Sequence, residues 1–383
     1  MRIAIVSRGR FHVADLAREL ASLGHDVTFY SDIPPQRLNQ FGPRGVGKIT
    51  LWPATILRVL QRMLPKTAVF NGNGSNRFAL LLIDWLTRLL LRPCDVLIGM
   101  SGIVLVSAYY ARQKYRARIW IERGSTHILA QNETLNANPN KQDGEGVDPW
   151  IIQRELTGYE FADRIVIPSQ HVQASFVARG MGETKLFLNP YGVDHSLFPW
   201  SVIRESAQPA LLMVGTWSWR KGCDVLTQAL RDLPDIRFIH VGALADVPFP
   251  SLPNATHFEP VSAEQLSRFY RDAHLFVLAS REDGFGVVLI QALSAGLSVI
   301  ASDCTGGPDL RDLILEKNRI RIVSAGDSGE LVFAIREMMP QAVRSRNVPL
   351  SSQTQEVLSW KRYGAEYDRG LRGTSFVQAA NHG

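Results

Sequence analysis

The sequence predicts two consecutive α/β domains, each with a parallel sheet that helices cover on both faces. The chain has 383 residues, which exceeds the usual length of one domain, about 100–200 residues. Short apolar segments such as 3–6 and 211–214 alternate with amphipathic segments, a pattern typical of buried parallel strands joined by helices. The alternation starts again after the proline-containing segment 190–209, which we interpret as the linker between the domains.

The first half begins with a strand, a helix and a second strand. Strand 3–6 precedes an apolar stripe that ends at Gly24, and strand 27–30 follows it. Amphipathic helices are predicted at about 53–65 and 78–91. Further apolar runs predict strands at 96–98, 119–121, 164–167 and 186–188.

The second half repeats this organisation, so we predict an N-terminal domain over 1–195 and a C-terminal domain over 205–355. Its strands are predicted at 211–214, 237–241, 275–278, 299–301 and 320–323. Ligands of parallel sheets bind at the carboxyl ends of the strands, so two facing domains would hold a ligand between them. Two-domain dehydrogenases share this architecture, and the loops therefore have to identify the function.

The net charge of +6 is concentrated in the first third of the chain. Residues 1–125 contain 18 Lys and Arg against 7 Asp and Glu, which gives +11, whereas 126–200 give −4 and 201–383 give −1. Such a segment suits phosphates, nucleic acid or an anionic membrane surface, and a solvated basic face is the alternative.

Neither the cysteines nor the apolar segments indicate a disulfide scaffold or a membrane span. The three cysteines have no Cys-x-x-Cys spacing, so they predict neither disulfides nor zinc ligands. The apolar run before Arg8 has four residues, too few for a signal peptide. Segment 78–91 contains two charges and is shorter than the ~20 residues that cross a bilayer. We therefore expect a soluble, cytoplasmic protein.

The loop after strand 275–278 carries the most informative residues. It reads Ser-Arg-Glu-Asp-Gly-Phe-Gly from 280 to 286 and leads into a predicted helix, whose N-terminus favours an anion. A phosphate would repel Asp283, so this carboxylate is better suited to hydroxyls of a sugar. Gln291, five residues after Gly286, is placed to reach another hydroxyl. An ordinary polar turn at 282–283 is the alternative.

Two further loops are suited to phosphates. Arg220 and Lys221 follow a strand that ends at Gly215, and paired cations there would neutralise a diphosphate. A solvated pair of charges is the alternative. Gly306 and Gly307 precede a proline suited to the first turn of a helix, which would give a second anion-binding helix end, although the same residues also form simple turns.

These loops resemble the retaining glycosyltransferases of family 4, which have the GT-B fold. The family signature brackets Phe-Gly with two glutamates separated by seven residues. Alignment on Phe285-Gly286 places Asp283 at the first glutamate and Gln291 at the second. Asp keeps the charge with a shorter reach, and Gln keeps the hydrogen bonding without the charge. Glu282, beside Asp283, is a candidate to substitute for it.

The resemblance extends over most of the chain. The family's Gly-Arg-x-x-x-x-Lys-Gly loop aligns with 215–222, where Thr216 replaces the arginine. Weaker matches occur at 24–27, 162–169, 189–198 and 360–363. The resemblance implies that a C-terminal helix over about 360–383 crosses back to the N-terminal domain. It also implies an acceptor site in the N-terminal domain and a donor site in the C-terminal one.

The resemblance also implies a set of site residues. Asp283 and His127 are the candidate catalytic residues, with His127 acting by hydrogen bonding to a sugar; a structural role is the alternative for a single histidine. The donor-binding candidates are Gly215, Arg220, Lys221, Gly284, Phe285, Gly286, Val287, Gln291, Gly306 and Gly307. Gly9 and Arg10 form the acceptor-side loop, where the family usually has Gly-Gly and this chain has only Gly9.

The sequence thus predicts a retaining glycosyltransferase that uses a nucleoside-diphosphate sugar and a glycan or lipid-linked acceptor. It contains no Asp-x-Asp, so we expect no metal ion and no cofactor. The basic amphipathic segment 53–65 suits an anionic inner-membrane surface, with a helix packed on the sheet as the alternative. A catalytically silent nucleotide-sugar-binding protein is a second candidate. A dehydrogenase lacks its Gly-x-Gly-x-x-Gly here, and nucleic-acid binding has no motif.

Overall fold

The computed structural model consists of two parallel sheets, each covered by helices, as the sequence predicts. It describes residues 1–9, 11–34, 36–37, 45–63, 73–141, 146–201 and 209–373. Within these residues the first sheet has seven parallel strands in the order β3-β2-β1-β4-β5-β6-β7. They are β1 (Arg2–Ser7), β2 (Asp26–Ser31), β3 (Gly47–Thr50), β4 (Val96–Met100), β5 (Arg118–Glu122), β6 (Arg164–Ile167) and β7 (Leu186–Leu188).

The helices of this half connect successive strands. They are α1 (Val13–Ser22), α2 (Trp52–Met63), α3 (Asn73–Leu90), α4 (Val106–Tyr115), α5 (Ile128–Asn136), α6 (Pro149–Phe161) and α7 (Gln170–Val177). The predicted helices at 53–65 and 78–91 correspond to α2 and α3, of which α3 begins five residues earlier than predicted. Asn and Gly at positions 73–76 weaken the apolar period there, which explains the difference.

The second sheet has six parallel strands in the described part of the chain, in the order β10-β9-β8-β11-β12-β13. They are β8 (Ala210–Val214), β9 (Arg237–Val241), β10 (Ala255–Phe258), β11 (Leu275–Leu278), β12 (Ser298–Ser302) and β13 (Ile320–Val323). Its helices are α8 (Cys223–Arg231), α9 (Ala263–Arg271), α10 (Val287–Ser294), α11 (Gly307–Leu313) and α12 (Ser328–Ser345).

The last two helices lead back to the first sheet. They are α13 (Ser352–Val357) and α14 (Trp360–Arg372), and α14 packs against α1. Gly364 permits this contact, because a Cβ atom there would lie 2.3 Å from the Cβ of Glu19. At the start of α14, Arg362 donates hydrogen bonds to Asn189 Oδ1 at 2.9 Å and to the carbonyl of Pro190 at 2.6 Å. The predicted crossing of the C-terminal helix is therefore confirmed over its described residues.

The two halves share one apolar cluster. It runs from β1 and α1 through Tyr191 and Val193 to Phe285 and α10. The Phe285 ring meets that of Tyr191 edge-on at 5.5 Å between centroids. This packing brings the carboxyl ends of both sheets together, which is where the predicted loops lie.

Among the helices of the described ranges, none combines the length and the apolar character that a membrane span requires.

Candidate functional site

The cations and the carboxylates predicted for the site meet at the boundary between the two sheets. Lys221 Nζ forms an ion pair and a hydrogen bond with Asp283. Arg220 Nε lies 3.5 Å from Glu282 Oε2. Burial works against the charged form of Asp283, but Lys221 and Arg220 outweigh it, so the pKa of this carboxyl is lowered. The acidic loop is therefore charged at neutral pH, and it fixes the position of both cations.

Glu282 links the two domains directly. Its side chain is 1% exposed, and Oε1 accepts hydrogen bonds from Ser125 Oγ at 2.7 Å and from Thr126 N and Oγ1 at 3.1 and 3.2 Å. Burial opposes its ionisation, yet Arg220 and these donors lower its pKa. The other oxygen, Oε2, is buried without a hydrogen-bond partner among the described residues. Glu282 thus connects Arg220 to the loop after β5.

The short helical turn Trp219–Lys221 positions the cations. Gly222 ends this turn with φ of 69°, and a Cβ there would lie 2.0 Å from the carbonyl oxygen of Ala279, so this position requires glycine. Arg281 donates to both oxygens of Asp224 at 2.6 and 2.7 Å and stacks over Trp219. These contacts tie the Arg220–Lys221 turn to the acidic loop.

Gly284 and Gly286 have different structural reasons for being glycine. A Cβ at Gly284 would lie 1.9 Å from the carbonyl oxygen of Gly124, so this glycine allows the two domains to touch. Ser169 Oγ also donates to the carbonyl of Gly284 at 2.5 Å. Gly286 has φ of 76° and is the N-cap of α10. Its N–H donates to Asp283 Oδ1 at 3.2 Å, so the carboxylate stabilises the start of that helix.

Other predicted donor-binding residues serve packing in this structure. Phe285 is buried, and a Cβ at Gly306 would lie 2.3 Å from its ring. The N–H groups of Gly306 and Gly307 donate to the Phe285 carbonyl and to Thr305 Oγ1, both at 3.0 Å. The Gly215 carbonyl accepts from His240 Nε2 at 2.9 Å. Their contact with a donor stays a prediction.

Val287 and Gln291 line a cavity of about 1070 Å³ between the two domains. Gln291 Oε1 accepts a hydrogen bond from Tyr270 at 3.1 Å. In the N-terminal domain, Gly9 has φ of 85°, and its N–H donates to Asp32 Oδ1 at 2.9 Å. Arg10, predicted for the same acceptor-side loop, lies outside the described residues.

His127 follows the loop that binds Glu282, but its ring is enclosed. It is 4% exposed and lies between Tyr159 and Phe176. Burial lowers its pKa to about 4, assisted by Arg179 and Arg123. Nδ1 accepts from the N–H of Leu129 at 3.2 Å, so the proton of the neutral ring is on Nε2. The ring is therefore neutral at neutral pH with Nε2–H as its donor, and a hydrogen bond from it to a sugar stays a prediction.

Among the described residues, no cluster of three His, Cys, Asp or Glu side chains is arranged to hold a metal ion.

Two family models match the chain. The model described as Glycosyltransferase Family 4 matches residues 10–197, and the one described as Glycosyl transferases group 1 matches residues 208–341. The chain belongs to these glycosyltransferase families. It has their GT-B fold: strands β2 to β7 of the N-terminal sheet lie in the first match, which β1 precedes, and the strands β8 to β13 of the C-terminal sheet lie in the second.

Similar proteins agree with this assignment. A sulfoquinovosyl transferase from Arabidopsis thaliana is 26% identical over 209 residues, which cover 50% of this chain and 40% of the relative. A GDP-mannose:cellobiosyl-diphosphopolyprenol alpha-mannosyltransferase from Xanthomonas campestris is 29% identical over 183 residues, covering 43% and 47%. These matches thus span about half or less of the relatives' own length.

The fold also matches that of solved structures. The Anabaena protein HepE, in complex with UDP and glucose, has a TM-score of 0.69 and 14% identity. The match covers 97% of this chain and 100% of HepE. At this identity the likeness establishes the fold.

The structure reveals two buried polar residues at the boundary between the domains that the sequence did not indicate. His171 Nε2 and Asp309 Oδ2 are buried without a hydrogen-bond partner among the described residues. Asp309 Oδ1 accepts from the N–H of Gln170 at 2.9 Å, which is another contact between the domains. In the sequence, only the position of His171 just after the end of β6 indicates that it could lie near the carboxyl ends of the strands. Asp309 is indicated only by its position after the predicted Gly-Gly-Pro turn.

Replacing Asp309 by asparagine is expected to stabilise the protein above pH 6. Burial raises the pKa of this 4% exposed carboxyl to about 6. The folded state therefore binds the proton more tightly than the unfolded state, and the wild-type free energy of unfolding falls as pH rises from about 4 to 6. Asparagine keeps an acceptor for Gln170 without ionising. We expect a gain on the order of 2 kcal/mol at pH 7 and little at pH 4.

Urea unfolding between pH 4 and 7.5 measures this difference. The surface variant Glu264→Gln serves as the control. A stability gain for Asp309→Asn that does not change with pH would contradict the assignment.

Proposed function

We propose that the protein is a retaining glycosyltransferase that acts in polysaccharide or lipopolysaccharide synthesis of the bacterial type. It transfers a sugar from a nucleoside-diphosphate sugar to a glycan or lipid-linked acceptor, without a metal ion. The observation that carries this proposal is the group of Arg220, Lys221, Glu282 and Asp283 at the boundary between the domains. Two cations held by two carboxylates, beside the N-terminus of α10, suit a diphosphate next to a sugar.

The chemistry assigned to these residues follows from their charges. Arg220 and Lys221 stabilise the charge that develops on the departing diphosphate. Asp283, ionised at neutral pH, accepts hydrogen bonds from hydroxyls of the donor sugar. His127 donates a hydrogen bond through Nε2 to a hydroxyl of a sugar. Closure along the Gly284–Gly124 contact excludes water, which limits hydrolysis of the donor.

The relatives' descriptions support the proposed substrates. One relative is described as transferring mannose from GDP-mannose to a diphosphopolyprenol-linked cellobiosyl group, and HepE was solved with UDP and glucose. Both name a nucleotide or nucleotide sugar, and the former names a lipid-linked acceptor. For this chain, such a donor and acceptor are our proposal.

Thermal-shift measurements with UDP-, GDP- and ADP-sugars test the donor part. A ligand that binds only the folded state raises Tm with its concentration, so one nucleotide series is expected to raise Tm by several degrees. Arg336→Ala, which removes an exposed cation of the same domain, should respond like the wild type, and Lys221→Ala should show a smaller shift at the same ligand concentration. No shift with any of the nine base and sugar combinations formed with glucose, mannose and N-acetylglucosamine would argue against the proposal.

A catalytically silent nucleotide-sugar-binding protein is the second candidate. The ion pair between Lys221 and Asp283 favours it, because both side chains already satisfy each other. Mass spectrometry of reactions with a binding nucleotide sugar and octyl glycoside acceptors separates the two. Formation of a glycoside extended by one sugar supports the transferase, and nuclear magnetic resonance of its anomeric proton determines whether the configuration is retained.

We also propose that α2 and α3 rest on an anionic membrane at its inner, cytoplasmic face. Trp52, Ile56 and Leu60 recur every four residues on α2 and are each about half exposed, so they form one apolar stripe. On α3, Trp85 is exposed, and the Arg88 guanidinium lies over its ring at 4.7 Å. An apolar stripe beside cations is typical of helices at an anionic lipid interface.

The double variant Ile56→Ser/Leu60→Ser is expected to bind anionic vesicles at least tenfold more weakly than the wild type. Full burial of each apolar side chain in the membrane would contribute about 1.5–3 kcal/mol to binding, and the variant loses both contributions. Cosedimentation with vesicles of phosphatidylglycerol and phosphatidylcholine measures this. Leu315→Ser, an exposed leucine of the C-terminal domain, is the matched control. Equal binding of the double variant and the wild type, or no binding by the wild type, would contradict the proposal.

A further inference from the structure

A histidine of the N-terminal domain, His12, lines the cavity between the domains and lies outside the loops described above. His12 lies at the start of α1 and faces the same cavity as Val287 and Gln291 of α10. The rest of the lining comes from Asp15, Arg18 and Glu19 of α1, from Phe11 and Ala263, from the segment 192–198 between the domains and from the start of α14. The donor-side helix and His12 therefore border one space of about 1070 Å³.

A buried carboxylate orients this histidine. His12 Nε2 lies 2.9 Å from Glu122 Oε2, and Glu122 is 1% exposed at the end of β5. Tyr363 of α14 holds the same carboxylate, with its hydroxyl 3.5 Å from both oxygens. The His12 ring also lies 4.3 Å from the ring of Tyr191. Three elements that are distant in sequence thus fix the ring in one orientation.

The orientation determines what the second ring nitrogen can do. A carboxylate only accepts hydrogen bonds, so Nε2 carries the proton and donates a hydrogen bond to Glu122. In the neutral ring, Nδ1 then has a lone pair that accepts a hydrogen bond. Nδ1 has no hydrogen bond with any described residue, although His12 borders the cavity. An imidazole that a carboxylate orients toward a cavity suits a hydroxyl group of a ligand.

We propose that His12 Nδ1 accepts a hydrogen bond from a hydroxyl of the acceptor sugar, with Glu122 as its positioning residue. This inference rests on the proposed function, and it locates the acceptor glycan in the cavity. His12 binds and orients this hydroxyl without forming a covalent bond. Val287 and Gln291, two of the predicted donor-binding residues, lie across the same cavity.

Variants of His12 separate the two ring nitrogens. The amide oxygen of His12→Asn reaches the position of Nδ1, whereas the amide of His12→Gln reaches that of Nε2. The probes are the octyl glycosides of glucose, mannose and galactose, added in the presence of UDP, GDP and ADP. Calorimetry is expected to show at least tenfold weaker glycoside binding for His12→Ala and His12→Gln, with His12→Asn closer to the wild type. His257→Gln, a histidine on β10, is the control.

Nitrogen-15 resonances of the histidine rings give a readout beyond binding strength. The glycoside should shift the Nδ1 resonance of His12, and Glu122→Leu should mix the two tautomers of that ring while Glu122→Gln preserves Nε2–H. Unchanged glycoside affinity in His12→Ala, or no movement of the His12 resonance with any of the glycosides, would overturn the proposal. The His12 variants and the wild type should bind nucleoside diphosphates equally. If the wild type binds none of them, the proposed function itself fails, and the proposal for His12 fails with it.

Discussion

Replacing Lys221 by alanine is expected to lower kcat for sugar transfer by about 100- to 1000-fold, the usual effect of removing one group that stabilises transition-state charge. The loss has two physical causes. The departing diphosphate loses one of its two cations, and Asp283 loses the partner that lowers its pKa. The pKa of Asp283 should therefore rise in the variant, which leaves the carboxylate less suited to bind the sugar.

Steady-state kinetics with the donor selected by the thermal-shift screen measures this effect. Arg336→Ala removes a cation that pairs with Asp235 on the surface, and its kcat should stay within twofold of the wild type. Far-ultraviolet circular dichroism verifies that Lys221→Ala is folded. A folded Lys221→Ala protein with wild-type kcat would show that Lys221 serves only to neutralise Asp283.

Replacing Glu282 by alanine is expected to lower kcat by at least tenfold and to open the domains. Three donors of Ser125 and Thr126 lose their acceptor, and leaving buried donors unsatisfied costs about 1–3 kcal/mol each. Arg220 loses its ion-pair partner at the same time. Because these contacts join the two domains, their loss favours the open state over the closed one.

Small-angle X-ray scattering in the presence of the nucleoside diphosphate measures the opening, and kinetics measures the rate. Glu282→Gln is the matched control, since its amide oxygen still accepts from Ser125 and Thr126. We expect Glu282→Gln to stay closed and Glu282→Ala to show a larger radius of gyration. Equal radii and rates for the two variants would show that Glu282 does not couple the domains.

The fold was predictable because its determinants are local. Runs such as 3–6 and 275–278 are apolar throughout, and turn residues separate them from amphipathic helices. Two parallel sheets follow from that alternation. The start of α3 was misplaced because Asn and Gly at its beginning conceal the helical period.

The site was predictable only in part. Arg220, Lys221 and Asp283 occur in short segments with a recognisable spacing, and the structure brings them together. In contrast, His12 and Glu122 are 110 residues apart, and Glu282 meets Thr126 from 156 residues away. No local pattern records such contacts, because they depend on how sheets, helices and domains pack. The roles of Gly306 and Gly307 in packing also became visible only from the contacts of their amides.

Calorimetric titration with UDP, GDP and ADP tests the central claim most directly, namely that Arg220 and Lys221 bind the diphosphate of a nucleotide sugar. The wild type is expected to bind one of the three diphosphates with micromolar Kd. The double variant Arg220→Ala/Lys221→Ala is expected to bind it at least 30-fold more weakly, which corresponds to about 2 kcal/mol. Failure of the wild type to bind any of the three, or equal affinity in the folded double variant, would contradict the claim.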